Sequence, residues 1–165
     1  MVNLGSLADF SGMAYPLSGN PKNNNWKRFA KYPFYRWSDL DYSEFMVNFV
    51  KNLEVRQFLP GEEILGTLDS VDEMYFIQRG TYDIGFEFNN IRKYRLRFGP
   101  RTIIGGFGLA FNKRTQYCYR ANTEMHAFSL RKHSWYHIVE SYKYFAMSIR
   151  IKFLYFYVKN ISNPL

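Results

Sequence analysis

The glycine-rich run "IIGGFGLA", residues 103–110, is the stretch of this chain with the clearest capacity to bind a ligand. Glycines allow consecutive backbone N–H groups to turn toward an anion, and a helix that begins there adds the positive end of its dipole. Lys113 and Arg114 follow closely and would add positive charge. The run predicts either a phosphate-binding loop or a tight turn between strands.

A second candidate group is formed by His133, His137 and Glu140, which the spacing places on one face of a helix. Three such side chains could bind zinc. However, the stretch "HSWYH" lacks the glutamate of the H-E-x-x-H motif. We therefore interpret the histidines as surface residues and predict no metal site.

No catalytic group is identifiable. Cys118 is the single cysteine, so an intrachain disulfide is impossible, which fits a reducing compartment. It lies between tyrosines in a strand-like run and is interpreted as a buried apolar residue rather than a nucleophile. We expect a protein that is not an enzyme.

Positive charge is concentrated in the second half of the chain. Residues 1–80 carry 8 basic and 10 acidic side chains, whereas residues 81–165 carry 14 basic and 4 acidic ones. This favours an anionic partner, such as a phosphate, an acidic lipid surface or an acidic protein, unless the charge only maintains solubility. Nucleic acid is the weakest of these alternatives because no binding motif accompanies the charge.

The 165 residues suit one domain, and the 20% aromatic content predicts a core rich in Phe and Tyr.

The order of predicted elements begins with residues 1–37, which lack periodicity and predict an irregular arm or linker. Residues 38–55 predict a helix, and residues 162–165 a tail. Between them come about eight short strands and then two helices. Asn89-Asn90 predicts a hairpin turn, and the alternation in "KYRLRF" predicts a strand with one basic face.

Residues 40–161 resemble the cyclic-nucleotide-binding domain, as found in cyclic-nucleotide-gated, hyperpolarisation-activated and ether-à-go-go-type cation channels and in regulatory subunits of cAMP-dependent kinase. Four stretches carry the resemblance: "FLPGEEI", "EMYFIQRGTYDI", "IGGFGLAFNKRTQYCYRA" and "FSLRKHSWYHIVESY". The second corresponds to a hairpin of the family with Gly80 at its turn, and the third to the phosphate-binding cassette.

The resemblance implies an eight-stranded jelly-roll barrel with an N-terminal helix and two C-terminal helices, and cAMP or cGMP as the ligand. The corresponding cassette residues are Gly105, Gly106, Phe107, Gly108, Leu109, Arg114, Thr115 and Gln116. In relatives that bind nucleotide, a glutamate contacts the ribose and an arginine pairs with the phosphate. Here Gly106 stands at the glutamate position and Thr115 at the arginine position. We therefore expect weak binding of cAMP and cGMP or none, and no other cofactor.

Tyr157 has two interpretations. Ether-à-go-go-type channels fill the cavity with a segment that follows their last helix, and one alignment places Tyr157 at the tyrosine of that segment. Alternatively, Tyr157 belongs to the core face of the last helix.

Two functions follow from the resemblance. The first is the regulatory domain of a cation channel, located at the cytoplasmic face of a membrane, with the rest of the channel as its partner and homo-oligomers possible. The second is a separate, non-enzymatic module in a larger intracellular or organellar assembly.

Overall fold

The computed structural model describes residues 40–165, so the arm predicted for residues 1–37 lies outside them. The first helix, α1, spans Leu40–Lys51. The prediction of helix through residue 55 was wrong, because Leu53–Phe58 form strand β1. This strand pairs along its whole length with a later strand, from Leu53↔Leu130 to Phe58↔Met125. That ladder outweighs the helical spacing at Leu53, since tertiary pairing overrides weak local preference.

The described residues contain eight strands in two antiparallel four-stranded sheets, which confirms the predicted β architecture with flanking helices. The sheet orders are β1-β8-β3-β6 and β2-β7-β4-β5. The remaining strands are β2 Glu63–Leu65, β3 Glu73–Arg79, β4 Tyr82–Phe88, β5 Ile91–Phe98, β6 Ile103–Ile104, β7 Cys118–Ala121 and β8 Met125–Arg131. The remaining helices are α2 Gly106–Phe111, α3 Lys132–Ser141 and α4 Lys143–Tyr157, followed by a π-helical turn at Val158–Ser162.

Gly80 lies between β3 and β4, as predicted, but the two strands do not form a hairpin. They belong to different sheets, so the turn carries the chain from one sheet to the other. Gly80 has a φ of 90°, and a Cβ there would collide with the carbonyl oxygen of Glu124. Only glycine adopts this positive φ without strain and also leaves room for the Glu124 carbonyl oxygen.

The hairpin predicted at Asn89-Asn90 is present. β4 pairs with β5 from Tyr82↔Phe98 to Phe88↔Ile91, and the two asparagines have φ values of 51° and 61°. Both are left-handed, which is the geometry of the two-residue turn that suits the twist of antiparallel strands.

The core between the sheets continues into the C-terminal segment. Tyr82, Ile84 and Ile104 are fully buried there. Ile161, in the π-helical turn, belongs to the same cluster and is only 3% exposed. The chain after α4 therefore packs into the barrel.

A second group of aromatic side chains joins α1 to the C-terminal helices. Phe45 of α1 stacks on Phe145 of α4 with ring centroids 5.2 Å apart, and it meets Tyr142 edge-on at 5.6 Å. The Asn48 side chain donates a hydrogen bond to the Tyr142 hydroxyl at 2.6 Å.

Every helix within residues 40–165 is too short or too polar to span a bilayer.

Candidate functional site

The glycine-rich run bends the chain out of β6 into the short helix α2. Gly105 is the residue before the helix and has a φ of 78°, in the left-handed region. Its carbonyl oxygen accepts the first helical hydrogen bond, from the Leu109 N–H at 2.9 Å. Leu109 itself is fully buried in the core. The run is thus a strand-to-helix corner at the mouth of the barrel.

Gly106 lies directly beneath α4. A Cβ at this position would be 3.3 Å from the ring of Phe153 and 3.1 Å from Ile103 Cγ2. Phe153 is only 6% exposed and also packs on Trp135, with centroids 5.9 Å apart. The position that the resemblance assigns to a glutamate is therefore covered by an aromatic ring, and a side chain there would require Ile103 or Phe153 to shift.

Phe107 and Tyr157 form the closest aromatic stack among the described residues. Their centroids are 4.2 Å apart and their planes differ by 11°. Phe107 also contacts Phe111, at 5.2 Å, and Tyr157 contacts Tyr117, at 6.2 Å. This stack joins α2, the loop before β7 and the end of α4 across the cavity mouth.

The residues at and beside the expected arginine position are engaged in hydrogen bonds with other residues of the domain. Thr115 is buried, and its hydroxyl donates to the Tyr117 carbonyl at 2.6 Å. Arg114 is exposed and donates to the Leu68 carbonyl at 2.9 Å. The Gln116 side chain accepts a hydrogen bond from the Tyr157 hydroxyl at 3.3 Å. Each of these groups stabilises the loop conformation.

Arg120, the other arginine near the cassette, faces away from the cavity. Its guanidinium lies 4.0 Å from the centre of the Tyr94 ring and 3.5 Å from a carboxylate oxygen of Asp83. Asp83 also accepts from Arg97, at 2.7 Å. Because Tyr119 lines the cavity, its neighbour on the strand must point to the outer face of the sheet.

The cavity that remains has a volume of about 30 Å³. A water molecule fits such a space, but sites for small-molecule ligands measure roughly 300–1,000 Å³. Of the predicted cassette residues, Leu109 and Gln116 do not line it. The lining residues are Leu65, Val71, Ile103, Gly105, Gly106, Phe107, Gly108, Arg114, Thr115, Tyr119, Phe153, Phe156, Tyr157 and Ile161.

The electrostatics of the cavity favour neutral groups. Burial raises the pKa of Tyr157 to about 12 and raises that of Tyr119 further. On α4, burial lowers the pKa of Lys152. Tyr157 and Tyr119 line the cavity, whereas Lys152 does not, and burial at the cavity wall penalises any charge without a partner.

Among the lining residues that sequence reasoning did not assign to the site, Phe153, Phe156 and Ile161 come from the C-terminal segment. The helical spacing identified Phe153 and Ile161 as apolar face residues but did not indicate that they cover the cassette.

The histidine cluster predicted from the sequence lies away from the cavity, and His133, His137 and Glu140 are all exposed on α3. Within residues 40–165 there is no group of three His, Cys, Asp or Glu side chains that could bind a metal. Cys118 is buried, as expected.

Solved structures with the same fold include regulatory subunits of protein kinase A and a catabolite activator protein. The regulatory subunit of a cAMP-independent protein kinase A from Trypanosoma cruzi, bound to guanosine, is 19% identical over 72% of this chain, with a TM-score of 0.58. The regulatory domain of Toxoplasma gondii protein kinase A with cAMP is 13% identical over 61%, at 0.55. The catabolite activator protein of Thermus thermophilus is 12% identical over 78%, at 0.61.

This chain therefore has the fold of a cyclic-nucleotide-binding domain. It spans 40% of the Trypanosoma structure, 38% of the Toxoplasma structure and 60% of the Thermus protein. No protein-family model matches the sequence, and no curated protein matches it by sequence. Because the identities are this low, the similarity establishes the fold alone.

Proposed function

We propose that this domain is a non-enzymatic regulatory and interaction module whose nucleotide cavity is occupied by its own side chains, so that it binds neither cAMP nor cGMP. The observation that carries the proposal is the Phe107–Tyr157 stack across the cavity mouth, at 4.2 Å. A ligand would have to displace this stack and leave its rings without their contacts.

Both expected anchors for a cyclic nucleotide are also missing. Gly106 offers no carboxylate, and the Phe153 ring crowds the position. Thr115 offers no positive charge, and its hydroxyl is already bonded to the backbone. Loss of a hydrogen-bonded charged partner costs about 2–5 kcal/mol, which is roughly 30-fold to several-thousand-fold in affinity.

Titration calorimetry with cAMP, cGMP and guanosine tests the proposal. Guanosine belongs in the set because the Trypanosoma cruzi neighbour was solved with it. We expect no dissociation constant tighter than about 0.1 mM, equivalent to about −5.5 kcal/mol. Tyr157→Ala is the matched variant, since it removes half of the stack and enlarges the cavity.

A low-micromolar constant for the unmodified chain would overturn the proposal. The variant Arg114→Gln would then identify the phosphate partner, because Arg114 is the basic residue on the cavity lining. Weak binding that appears only in Tyr157→Ala would support the proposal, because it would show that the tyrosine blocks an otherwise usable pocket.

A role in a cation channel is the second candidate, and the position of Tyr157 favours it. The resemblance to ether-à-go-go-type channels implies a tyrosine in the cavity after the last helix, and Tyr157 ends α4 and lines the cavity. Displacement of Tyr157 would move α4, and the Phe45–Phe145 stack would pass that movement to α1. A ligand or partner could drive this movement only by binding more tightly to one of the two arrangements, with Tyr157 in the cavity or with Tyr157 displaced.

Sequencing the full transcript tests this candidate, since a channel requires membrane-spanning segments upstream.

A further inference from the structure

The hairpin of β4 and β5 extends beyond the sheet to which it belongs. β4 pairs with β7 only from Tyr82 to Gly85, because β7 begins at Cys118, opposite Gly85. Beyond that point, among the described strands, β4 and β5 pair only with each other, as far as Phe88↔Ile91. Residues 86–93 therefore form a projecting segment, which we call the hairpin tip. None of its residues lines the cavity.

One face of the hairpin tip ends in an exposed apolar pair. Phe88 and Ile91 lie opposite each other on either side of the Asn89-Asn90 turn, and they are 70% and 60% exposed. Phe86 lies two residues before Phe88, on the same face, and is half-buried. Contact across the strands stabilises the hairpin, yet more than half of Phe88 and of Ile91 stays in contact with water.

Two cations lie behind the apolar pair on the same face. Lys93 is directly opposite Phe86, and the guanidinium of Arg95 lies 5.6 Å from the centre of the Phe86 ring. Both cations are exposed. Within residues 40–165, neither forms a salt bridge with a carboxylate, so their charge is available to an anionic partner.

The charges on the opposite face of the hairpin and its sheet are balanced. Three arginines and three carboxylates pair with one another there: Arg92 with Glu63 and Glu87, and Asp83 with Arg97 and Arg120. The uncompensated positive charge of the hairpin is therefore on the face that carries the apolar pair.

The free edge of β5 is unsuited to the addition of another strand. β5 is the outermost strand of its sheet within the described residues, and a bulge at Arg95 interrupts its ladder with β4. Bulges and basic side chains are the means by which edge strands avoid pairing with other chains. A partner would therefore meet the apolar pair at the end of the hairpin and not along the edge of β5.

A membrane surface with anionic headgroups matches the order of side chains along the hairpin tip. At about 3.3 Å per residue, Lys93 lies about 7 Å and Arg95 about 13 Å behind Ile91. Amphipathic segments at a membrane surface bury their apolar side chains about 5–10 Å into the boundary between headgroups and acyl chains. With Phe88 and Ile91 at that depth, the two cations reach the headgroup phosphates, which attract them.

We propose that the hairpin tip inserts Phe88 and Ile91 into the surface of a membrane rich in anionic lipid, with Lys93 and Arg95 on the headgroup phosphates. Two apolar side chains and two cations give reversible binding and not permanent anchoring. The proposal goes beyond the function proposed for the cavity. Its tests use no nucleotide, so it fails or succeeds separately from the calorimetric titration.

Co-sedimentation of the full chain with lipid vesicles tests the proposal. Vesicles with about 30% phosphatidylserine should bind the chain at least about tenfold more tightly than vesicles of phosphatidylcholine alone. Phe88→Ser with Ile91→Ser should weaken this binding at least about tenfold. Val55→Ser with Leu59→Ser is the matched control, because these apolar residues are 71% and 64% exposed outside the tip, and it should leave the affinity unchanged.

A second pair of variants separates the cations of the tip from the overall positive charge. Lys93→Gln with Arg95→Gln should weaken binding about 25-fold, since each cation near an anionic surface contributes about fivefold. Arg79→Gln with Lys113→Gln removes two exposed cations elsewhere, and Arg79 lies next to the turn at the other end of β4. This control should weaken binding only about twofold, because salt screens distant charges. Circular dichroism and urea unfolding verify that every variant folds.

Insertion itself is measured with a tryptophan at the tip. The fluorescence that Phe88→Trp adds to that of the unmodified chain should be quenched by lipids brominated in their acyl chains. The fluorescence that Val55→Trp adds should not be quenched, because Val55 lies on β1, outside the tip.

Four outcomes would overturn the proposal. The first is binding to neither vesicle, or equal affinity for both. The second is an equal loss of affinity in the test and control variants, or bound Phe88→Trp without quenching, either of which would leave only general electrostatic attraction. The third is binding of a soluble polyglutamate peptide that requires Phe88 and Ile91, without vesicle binding, which would make an acidic protein the partner. The fourth is self-association in analytical ultracentrifugation that the Phe88→Ser with Ile91→Ser variant disperses, which would make a second copy the partner.

Discussion

The ring of Phe153 lies where a side chain at position 106 would project, 3.3 Å from the place of the missing Cβ. Gly106 and Phe153 are 47 positions apart, and their contact holds α4 directly on the cassette helix. Close packing of this kind tolerates little added volume.

Gly106→Glu should therefore destabilise the domain by about 2 kcal/mol or more, because the new side chain must displace the Phe153 ring. Phe153→Ala should also destabilise it, by about 3 kcal/mol, because the ring is buried. The double variant should be more stable than the sum of the two losses predicts, by at least about 1 kcal/mol. Urea unfolding of the unmodified chain, the two single variants and the double variant measures this coupling energy. Additive losses of stability would show that the two positions do not interact.

Tyr157→Ala should lower the free energy of unfolding by about 2 kcal/mol, since it removes the stack on Phe107 and leaves a void beside the cassette. Tyr155→Ala is the matched control on the same helix. Tyr155 is 50% exposed, and its truncation should cost no more than about 0.5 kcal/mol. Equal losses in the two variants would contradict a specific role of Tyr157 in the cavity.

Arg56 holds Glu73 by two hydrogen bonds, at 2.8 and 3.1 Å, and this pairing lowers the pKa of the Glu73 carboxyl. A carboxyl with a lowered folded-state pKa contributes stability that is present above its unfolded pKa and lost as the pH falls through the folded one. Arg56→Gln should thus reduce stability at pH 7 by about 1 kcal/mol and have less effect near pH 3. Lys113→Gln, at an exposed site, serves as the control. An effect of Arg56→Gln that does not change with pH would indicate lost packing instead.

Burial raises the pKa of the Tyr75 hydroxyl to about 12, above that of an exposed tyrosine. The unfolded chain therefore loses this proton first as the pH rises, and stability falls between about pH 10 and 12. Tyr75→Phe should flatten the fall, because it removes the proton that the folded chain retains. Unfolding measured from pH 8 to 12 tests this, and an unchanged slope in Tyr75→Phe would assign the fall to other tyrosines.

Local chemistry made several features predictable from the sequence alone. Asn89-Asn90 specified a turn because asparagine tolerates the left-handed backbone that a two-residue hairpin needs. The alternation from Lys93 to Phe98 specified a strand with one exposed basic face, which the burial pattern reproduces. Gly80 and the glycine-rich run marked real corners of the chain.

The tertiary structure alone decided what those corners do. The predicted hairpin around Gly80 was wrong, because whether two strands pair depends on partners distant in the chain, here β8 for β3 and β7 for β4. Likewise, spacing could show that Phe153, Tyr157 and Ile161 recur at helical intervals but not which surface they cover. The hydrophobic effect is non-directional, so an apolar side chain gains by contacting any apolar surface. Which surface each of these rings contacts depends on how the whole domain packs. The amino-acid sequence therefore determined that Gly106 and Thr115 stand where the resemblance expects a glutamate and an arginine, and only the folded chain determined that aromatic side chains surround the small cavity beside them.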